Sequence, residues 1–197
     1  MLVLPQINEP YRIVSIDPGT NTLGVALLEV DLVYFNITLL NAFTLNSGTN
    51  IHAFPTVLES HGERYTKLFS HSQNLLIIFN QYHPHSVICE SPFLGRFPQA
   101  FEALVECKIM IRNALLSHDP SMPLETVDPP TAKLAVGAPG RGGDKEVVKK
   151  AILNLDNLVL PNVNFIESLD EHSIDAIAVG YYKAKQVIEW MIRNGEM

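Results

Sequence analysis

A mixed α/β domain is what this sequence predicts, on three observations. β-rich runs separated by short turns crowd the amino-terminal part, and stretches of helical and strand character alternate after them. A hydrophobic fraction of 47% against 18% charged residues is ordinary globular composition and excludes a disordered chain. Strands first and alternation afterwards argue for one α/β domain over residues 1–197, a length that suffices for a substantial core.

The elements follow in order. Arg12 to Ile16 is a short strand ended by Asp17-Pro18-Gly19, a turn signal because proline fixes φ and glycine frees it. Leu23 to Val30 and Val33 to Leu45 read as two more strands, so the first three form an antiparallel meander. Val57 to Tyr82 places Leu58, Tyr65, Leu68, Phe69, Leu75, Leu76 and Phe79 mostly at helical intervals. His85 to Glu90 reads as a buried strand with a polar end, Gln99 to Leu116 as a second helix, and Pro123 to Val127 as a strand stopped by Pro129-Pro130. Asp144 is placed to cap a helix reaching about Leu155, and a last long helix runs from near Ser168 towards Met191.

Composition bounds the function. The net charge of −7 argues against coating nucleic acid by bulk charge, yet leaves room for local basic patches. Cys89 and Cys107 are too few for a disulfide framework and have no zinc spacing, so buried thiols in a reducing compartment are expected. The start, MLVLPQINEPYR, lacks a basic n-region and breaks at Pro5, so no signal peptide is expected. The longest aliphatic and aromatic run, Leu75 to Phe79, is far below the ~20 residues of a membrane span. A cytoplasmic protein with no membrane contact is the expectation.

Three carboxylates occupy positions where carboxylates are costly. Asp17 and Glu90 each end an apolar strand, and Asp175 interrupts the apolar helical stretch Ser173 to Val179. If the two strands are central and parallel, Asp17 and Glu90 meet at their carboxyl ends, where open α/β sheets bind ligands. Crowded carboxylates repel and take up protons unless a cation resolves them. Mg²⁺ suits such oxygen ligands, and two ions can activate a water and stabilise the leaving oxygen in phosphodiester hydrolysis. Taken singly, Asp17 also reads as a turn former and Glu90 as a helix-capping or ion-paired residue; Asp175 is a poor interior helix former.

A resemblance joins these pieces. Ile13-Val14-Ser15-Ile16-Asp17-Pro18-Gly19-Thr20 with Gly24-Val25-Ala26 resembles the opening of RuvC-type Holliday-junction resolvases of the RNase H-like superfamily. Val87-Ile88-Cys89-Glu90, then Pro130-Thr131-Ala132-Lys133 with Val136-Gly137 and Lys145, then His172-Ser173-Ile174-Asp175-Ala176 resemble its later motifs in the same order. The resemblance implies a mixed five-stranded sheet flanked by helices, a homodimer, and paired nicking of four-way DNA junctions with Mg²⁺ or Mn²⁺. It places Asp17, Glu90 and Asp175 at metal-ligand positions.

His172 stands where most bacterial members carry an acid, and this divergence leans towards a phage-type enzyme. Three residues before Asp175, His172 can share its helical face, as a metal ligand or a proton carrier. Glu171 competes for that place, although Ser168-x-x-Glu171 also fits a capping box. Asp170 is expected to be solvated.

Residues 131–150 hold Lys133, Arg141, Lys145, Lys149 and Lys150 against Asp144 and Glu146, a local +3 in a chain otherwise at −10. This charge surrounds a glycine-rich loop, Gly137 to Gly143, expected to be flexible and open to phosphates. By resemblance, Lys133 and Lys145 contact DNA near the scissile bond; Arg141 is a loop candidate. Phe93, three residues past Glu90, matches the family's aromatic that stacks on unpaired bases, with Phe97 as the alternative wedge and core packing as the plain reading.

The expected function is thus a metal-dependent, structure-selective endodeoxyribonuclease leaving 5′-phosphates, with branched DNA as partner and no nucleotide cofactor. Two rivals remain at this level. One is a catalytically idle junction-binding module. The other is a fragment of an actin-like ATPase or sugar kinase, which shares Asp-x-Gly-Thr but needs two such domains.

Overall fold

The computed structural model describes residues 4–5, 9–49, 51–93, 98–140 and 145–194. Its centre is a sheet built from β1 (Tyr11–Asp17), β2 (Thr22–Val30), β3 (Ile37–Asn46), β4 (Ser86–Glu90), β5 (Leu124–Val127) and β6 (Leu158–Val159). The strand order is β5-β4-β1-β2-β3-β6. β1, β2 and β3 form the expected antiparallel meander, while β4 and β5 join β1 in parallel. The sheet therefore has six strands, not five. The additional strand is short: Leu158 and Val159 pair with Ile37 and Thr38 at the edge, too few residues to show a period of two.

Helices cover both faces. α1 (Pro55–Tyr82) and α2 (Pro98–His118) lie on one side, and α3 (Pro129–Ala135), α4 (Lys145–Leu153), α5 (Val163–Ser168) and α6 (Glu171–Asn194) pack on the other. The alternation of β1 sorts the two cores. Val14 and Ile16 pack with Leu68, Leu75, Phe79 and Ile111, whereas Tyr11 and Ile13 pack with Ala176, Ile177 and Ala184. Both cysteines are free and buried, and burial pushes each thiol up to about 12, which makes them inert packing groups. No helix among the described residues is long and apolar enough to cross a membrane.

Other differences from expectation have local causes. Residues 31–36 are a turn and not part of β3, because the Asp31 carboxylate accepts from the amides of Val33 and Tyr34. Pro129-Pro130, read as a strand stop, also opens α3; Asp128 caps it by accepting from the Thr131 amide, and proline suits a first helical turn. The cap of α6 is Asp170 and not the Ser168–Glu171 pair. Its carboxylate accepts from the Ser173 amide at 2.9 Å and from the Thr44 hydroxyl at 2.6 Å, so it is not simply solvated.

α6 carries a buried cation away from the strand ends bearing Asp17 and Glu90. Lys183, 6% exposed, meets both carboxylate oxygens of Glu125 at 2.7 and 2.8 Å. Glu125→Ala leaves that ammonium enclosed without its partner. We expect a loss of about 2–3 kcal/mol in urea unfolding, below the ~3–5 of a fully enclosed pair because Glu125 is partly solvated. Lys183→Met in the Glu125→Ala background should recover most of it.

Candidate active site

Strand register builds the first half of the site. Ile16 lies beside Cys89 in the parallel β1–β4 pair, so Asp17 and Glu90, the final residues of these strands, stand side by side at one sheet edge. The third acid comes from the other end of the chain. α6 lies across β1 and β2, where the buried Ser15 hydroxyl donates to the Ala176 carbonyl at 2.7 Å and fixes the turn that carries Asp175. Two glycines permit this approach. A Cβ on Gly24 would overlap the backbone carbonyl of His172, and one on Gly180 would overlap the Leu28 and Ser15 side chains.

The carboxylates feel one another. Burial, then Asp17, then Asp175 push the Glu90 carboxyl up to about 8, while Lys133 opposes the rise. Lys133 arrives on α3, which starts directly after β5, and its Nζ lies 3.8 Å from Asp175 Oδ1. His172 joins the group from the first turn of α6. Its Nδ1 is 2.8 Å from Asp17 Oδ2, its Nε2 is 2.9 Å from Thr22 Oγ1, and Glu171 Oε1 is 3.9 Å from the same Nε2. The hydrogen bond to Asp17 is the main reason the His172 pKa is raised.

The raised Glu90 carboxyl gives a testable signature. Glu90 binds a proton more tightly folded than unfolded, so stability falls as pH rises from its unfolded value towards about 8. His71 is buried with its pKa lowered to about 4, which acts in the opposite sense but only below about 6.5. Between pH 6.5 and 8, without divalent metal, chemical denaturation should therefore show a loss of about 1–2 kcal/mol. His172, also raised, adds to the fall in the same direction; Glu90→Gln should remove the Glu90 share.

The remaining candidates fall into place unevenly. Phe93, three residues past Glu90, is 68% exposed and is not a core aromatic. Phe97 and Arg141 lie outside the described residues, and so does the side chain of Lys145, whose backbone opens α4. Lys149 is engaged elsewhere: its Nζ donates to the Glu167 carbonyl at 2.6 Å, at the end of α5. The first half of the glycine-rich loop is packed and not loose, with Ala138 buried and its amide donating to the Lys133 carbonyl at 3.0 Å. Thr22 was not anticipated; only its place after the Asp17 turn and opposite His172 marks it.

No family model matches the sequence. The crossover junction endodeoxyribonuclease RuvC of Christiangramia forsetii is 24% identical over 148 residues, covering 74% of this chain and 69% of that protein. RuvC of Cytophaga hutchinsonii is 23% identical over 140 residues, covering 68% and 60%. The chain thus spans about two thirds of the length of these relatives. The Thermus thermophilus RuvC structure superposes with a TM-score of 0.66 at 17% identity, covering 91% of this chain and 97% of that one. The chain is RuvC-like in sequence and in fold. A second structure of T. thermophilus RuvC, in complex with Holliday junction substrate, superposes with a TM-score of 0.64. The likeness to T. thermophilus RuvC is one of fold and extends over nine tenths of this chain.

The donor set fits a hard divalent cation. Three carboxylates converge, and burial followed by the charges of Asp17 and Asp175 raises the Glu90 carboxyl, a cost that a bound cation would relieve. Among the described residues no three His, Cys, Asp or Glu groups already close into a ligand shell. An open, oxygen-rich site is compatible with an ion that keeps several of its waters.

Proposed function

We propose that the chain is a single-domain, metal-dependent endodeoxyribonuclease that resolves Holliday junctions and related branched DNA by paired nicking. The observation that carries this reading is the convergence of Asp17, Glu90 and Asp175, with Lys133 beside them, at one sheet edge of a RuvC-like frame. Asp17, Glu90 and Asp175 would hold two Mg²⁺ ions, for which Mn²⁺ can substitute; such ions supply water activation and charge stabilisation for phosphodiester hydrolysis. Lys133 moderates the negative field and presents an ammonium to a scissile phosphate. His172 orients Asp17 through its Nδ1. Phe93, exposed three residues past Glu90, offers a face on which an unpaired base can stack, a contact worth ~1–3 kcal/mol. Lys145 and Arg141 extend the basic surface for the DNA backbone.

Paired nicking needs two such sites. Ile109 and Leu116, seven residues apart on α2, leave an exposed apolar stripe suited to a second copy of the chain. The setting for this work is the cytoplasm, where DNA is accessible.

The test is cleavage of a synthetic four-way junction with Mg²⁺, with Mn²⁺ and with EDTA, mapping products on all strands. Symmetric nicks bearing 5′-phosphates, absent in EDTA and on linear duplex, are the expected result. Junction affinity should rise with divalent metal and fall with salt. Binding without nicking under any divalent metal would instead identify an idle junction-binding module, and metal-dependent ATP turnover without cleavage would point to the kinase-like alternative.

A further inference from the structure

We propose that Thr22 is a positioning residue of the acidic site: its hydroxyl holds the Nε2 edge of His172, so that Nδ1–H stays directed at Asp17. The inference rests on the nuclease reading for its catalytic consequence but not for its structural one. It begins with donor and acceptor arithmetic. An ionised carboxylate only accepts, so the 2.8 Å contact between His172 Nδ1 and Asp17 Oδ2 places a proton on Nδ1. In the neutral ring Nε2 is then an acceptor, and the Thr22 hydroxyl at 2.9 Å donates to it. In the charged ring Nε2 donates, and the same hydroxyl turns to accept. A hydroxyl serves both states without rotation of the imidazole, which neither an apolar nor a purely accepting side chain can do.

The alternative arrangement is close by. Glu171 Oε1 lies 3.9 Å from the same Nε2 and would draw a proton onto that nitrogen. With the proton on Nε2, a neutral ring has no donor for Asp17. Thr22 therefore reinforces the ring state that supports Asp17 against the one that turns to Glu171.

Thr22 can do this because it opens β2 and the two residues before it are held from several sides. The Ser47 hydroxyl lies 2.9 Å from the Thr20 carbonyl and 3.0 Å from that of Asn21, and the Ser47 amide also donates to Asn21 O. His71 Nε2 contacts Thr20 O at 3.2 Å from α1, and Lys67 Nζ donates to the Asn21 side chain at 3.0 Å. Across the gap, the close packing of His172 backbone on Gly24 fixes the other partner. Both ends of the hydrogen bond sit on rigid supports, the condition under which one such contact sets a side chain's orientation.

The experiment uses the whole chain labelled with ¹⁵N-histidine, free of metal and DNA, at a pH where His172 is neutral. Long-range ¹H–¹⁵N spectra report the tautomer, and His172→Gln identifies the His172 signals. The wild type should show Nδ1–H, Thr22→Ser should match it, and Thr22→Val should shift towards Nε2–H. A wild-type Nε2–H tautomer, or an unchanged spectrum in folded Thr22→Val, overturns the proposal; the first of these needs no variant to fold. On junction DNA, Thr22→Val should lower the cleavage rate roughly tenfold with junction affinity unchanged, and Thr22→Ser should restore it. Because the spectra involve neither metal nor DNA, a failure of the nuclease reading shows as an uncut junction and leaves the tautomer result to stand or fall separately.

Discussion

Asp17→Asn and Asp175→Asn proteins should bind a four-way junction and leave it uncut. Each substitution keeps the shape of the side chain and removes one negative charge from the acidic edge formed by β1, β4 and α6. The cleavage rate should fall by at least about a hundredfold, the scale on which single electrostatic groups act in sites shielded from water. Binding should persist, since Lys133 and Phe93 remain in place. Asp175→Asn also removes one of the carboxylates that, after burial, raise the Glu90 carboxyl, so the decline in stability between pH 6.5 and 8 should become shallower in that variant. Cleavage at the wild-type rate by either protein contradicts the proposed site. A binding assay run beside cleavage, with unfolding monitored by circular dichroism, separates lost chemistry from lost fold.

Gly24→Val should be almost as damaging without touching a reacting group. The glycine sits on β2 opposite Asp17, and the backbone carbonyl of His172 occupies the space a Cβ would need. Backbone cannot rotate away as a side chain can, so the amino-terminal turn of α6 must lift from the sheet. Overpacking of this kind costs ~1–3 kcal/mol. The functional cost is larger. His172 and Asp175 ride on that turn, and a displacement of about 1 Å can cost about a hundredfold in rate. We expect a folded protein with a lowered melting temperature, weakened His172–Asp17 contact and cleavage near background. Gly24→Ala should fall between this and the wild type. Wild-type cleavage by Gly24→Val would show that α6 does not need this close seat.

What could be read beforehand divides along physical lines. The strands ending at Asp17 and Glu90 were legible because apolar runs closed by a polar residue state their own burial, and the parallel register then fixes their meeting. Asp175 was legible because a carboxylate inside an apolar helix needs a reason. β6 was not, since two residues carry no periodicity and only their tertiary pairing with Ile37 and Thr38 marks them as a strand. The cap of α6 was misplaced because Ser168 and Asp170 both suit a helix start; the choice was made by Thr44, on a strand over a hundred residues away. Thr22 was silent for a similar reason. A threonine at the head of a strand is commonplace, and only the tertiary approach of His172 gives its hydroxyl a role.

The distance along the chain between the site's members has a consequence for synthesis and refolding. Asp17 and His172 touch across 155 residues, so the acidic edge closes only after α6, the last helix, has docked on the opening strands. Contacts of such long sequence separation are slow to form, because loop closure must precede the gain from packing. During translation the first strands leave the ribosome long before α6 can reach them. A nascent or partly folded chain thus carries Asp17 and Glu90 without His172 and Asp175, and the acidic site is complete only once α6 has docked.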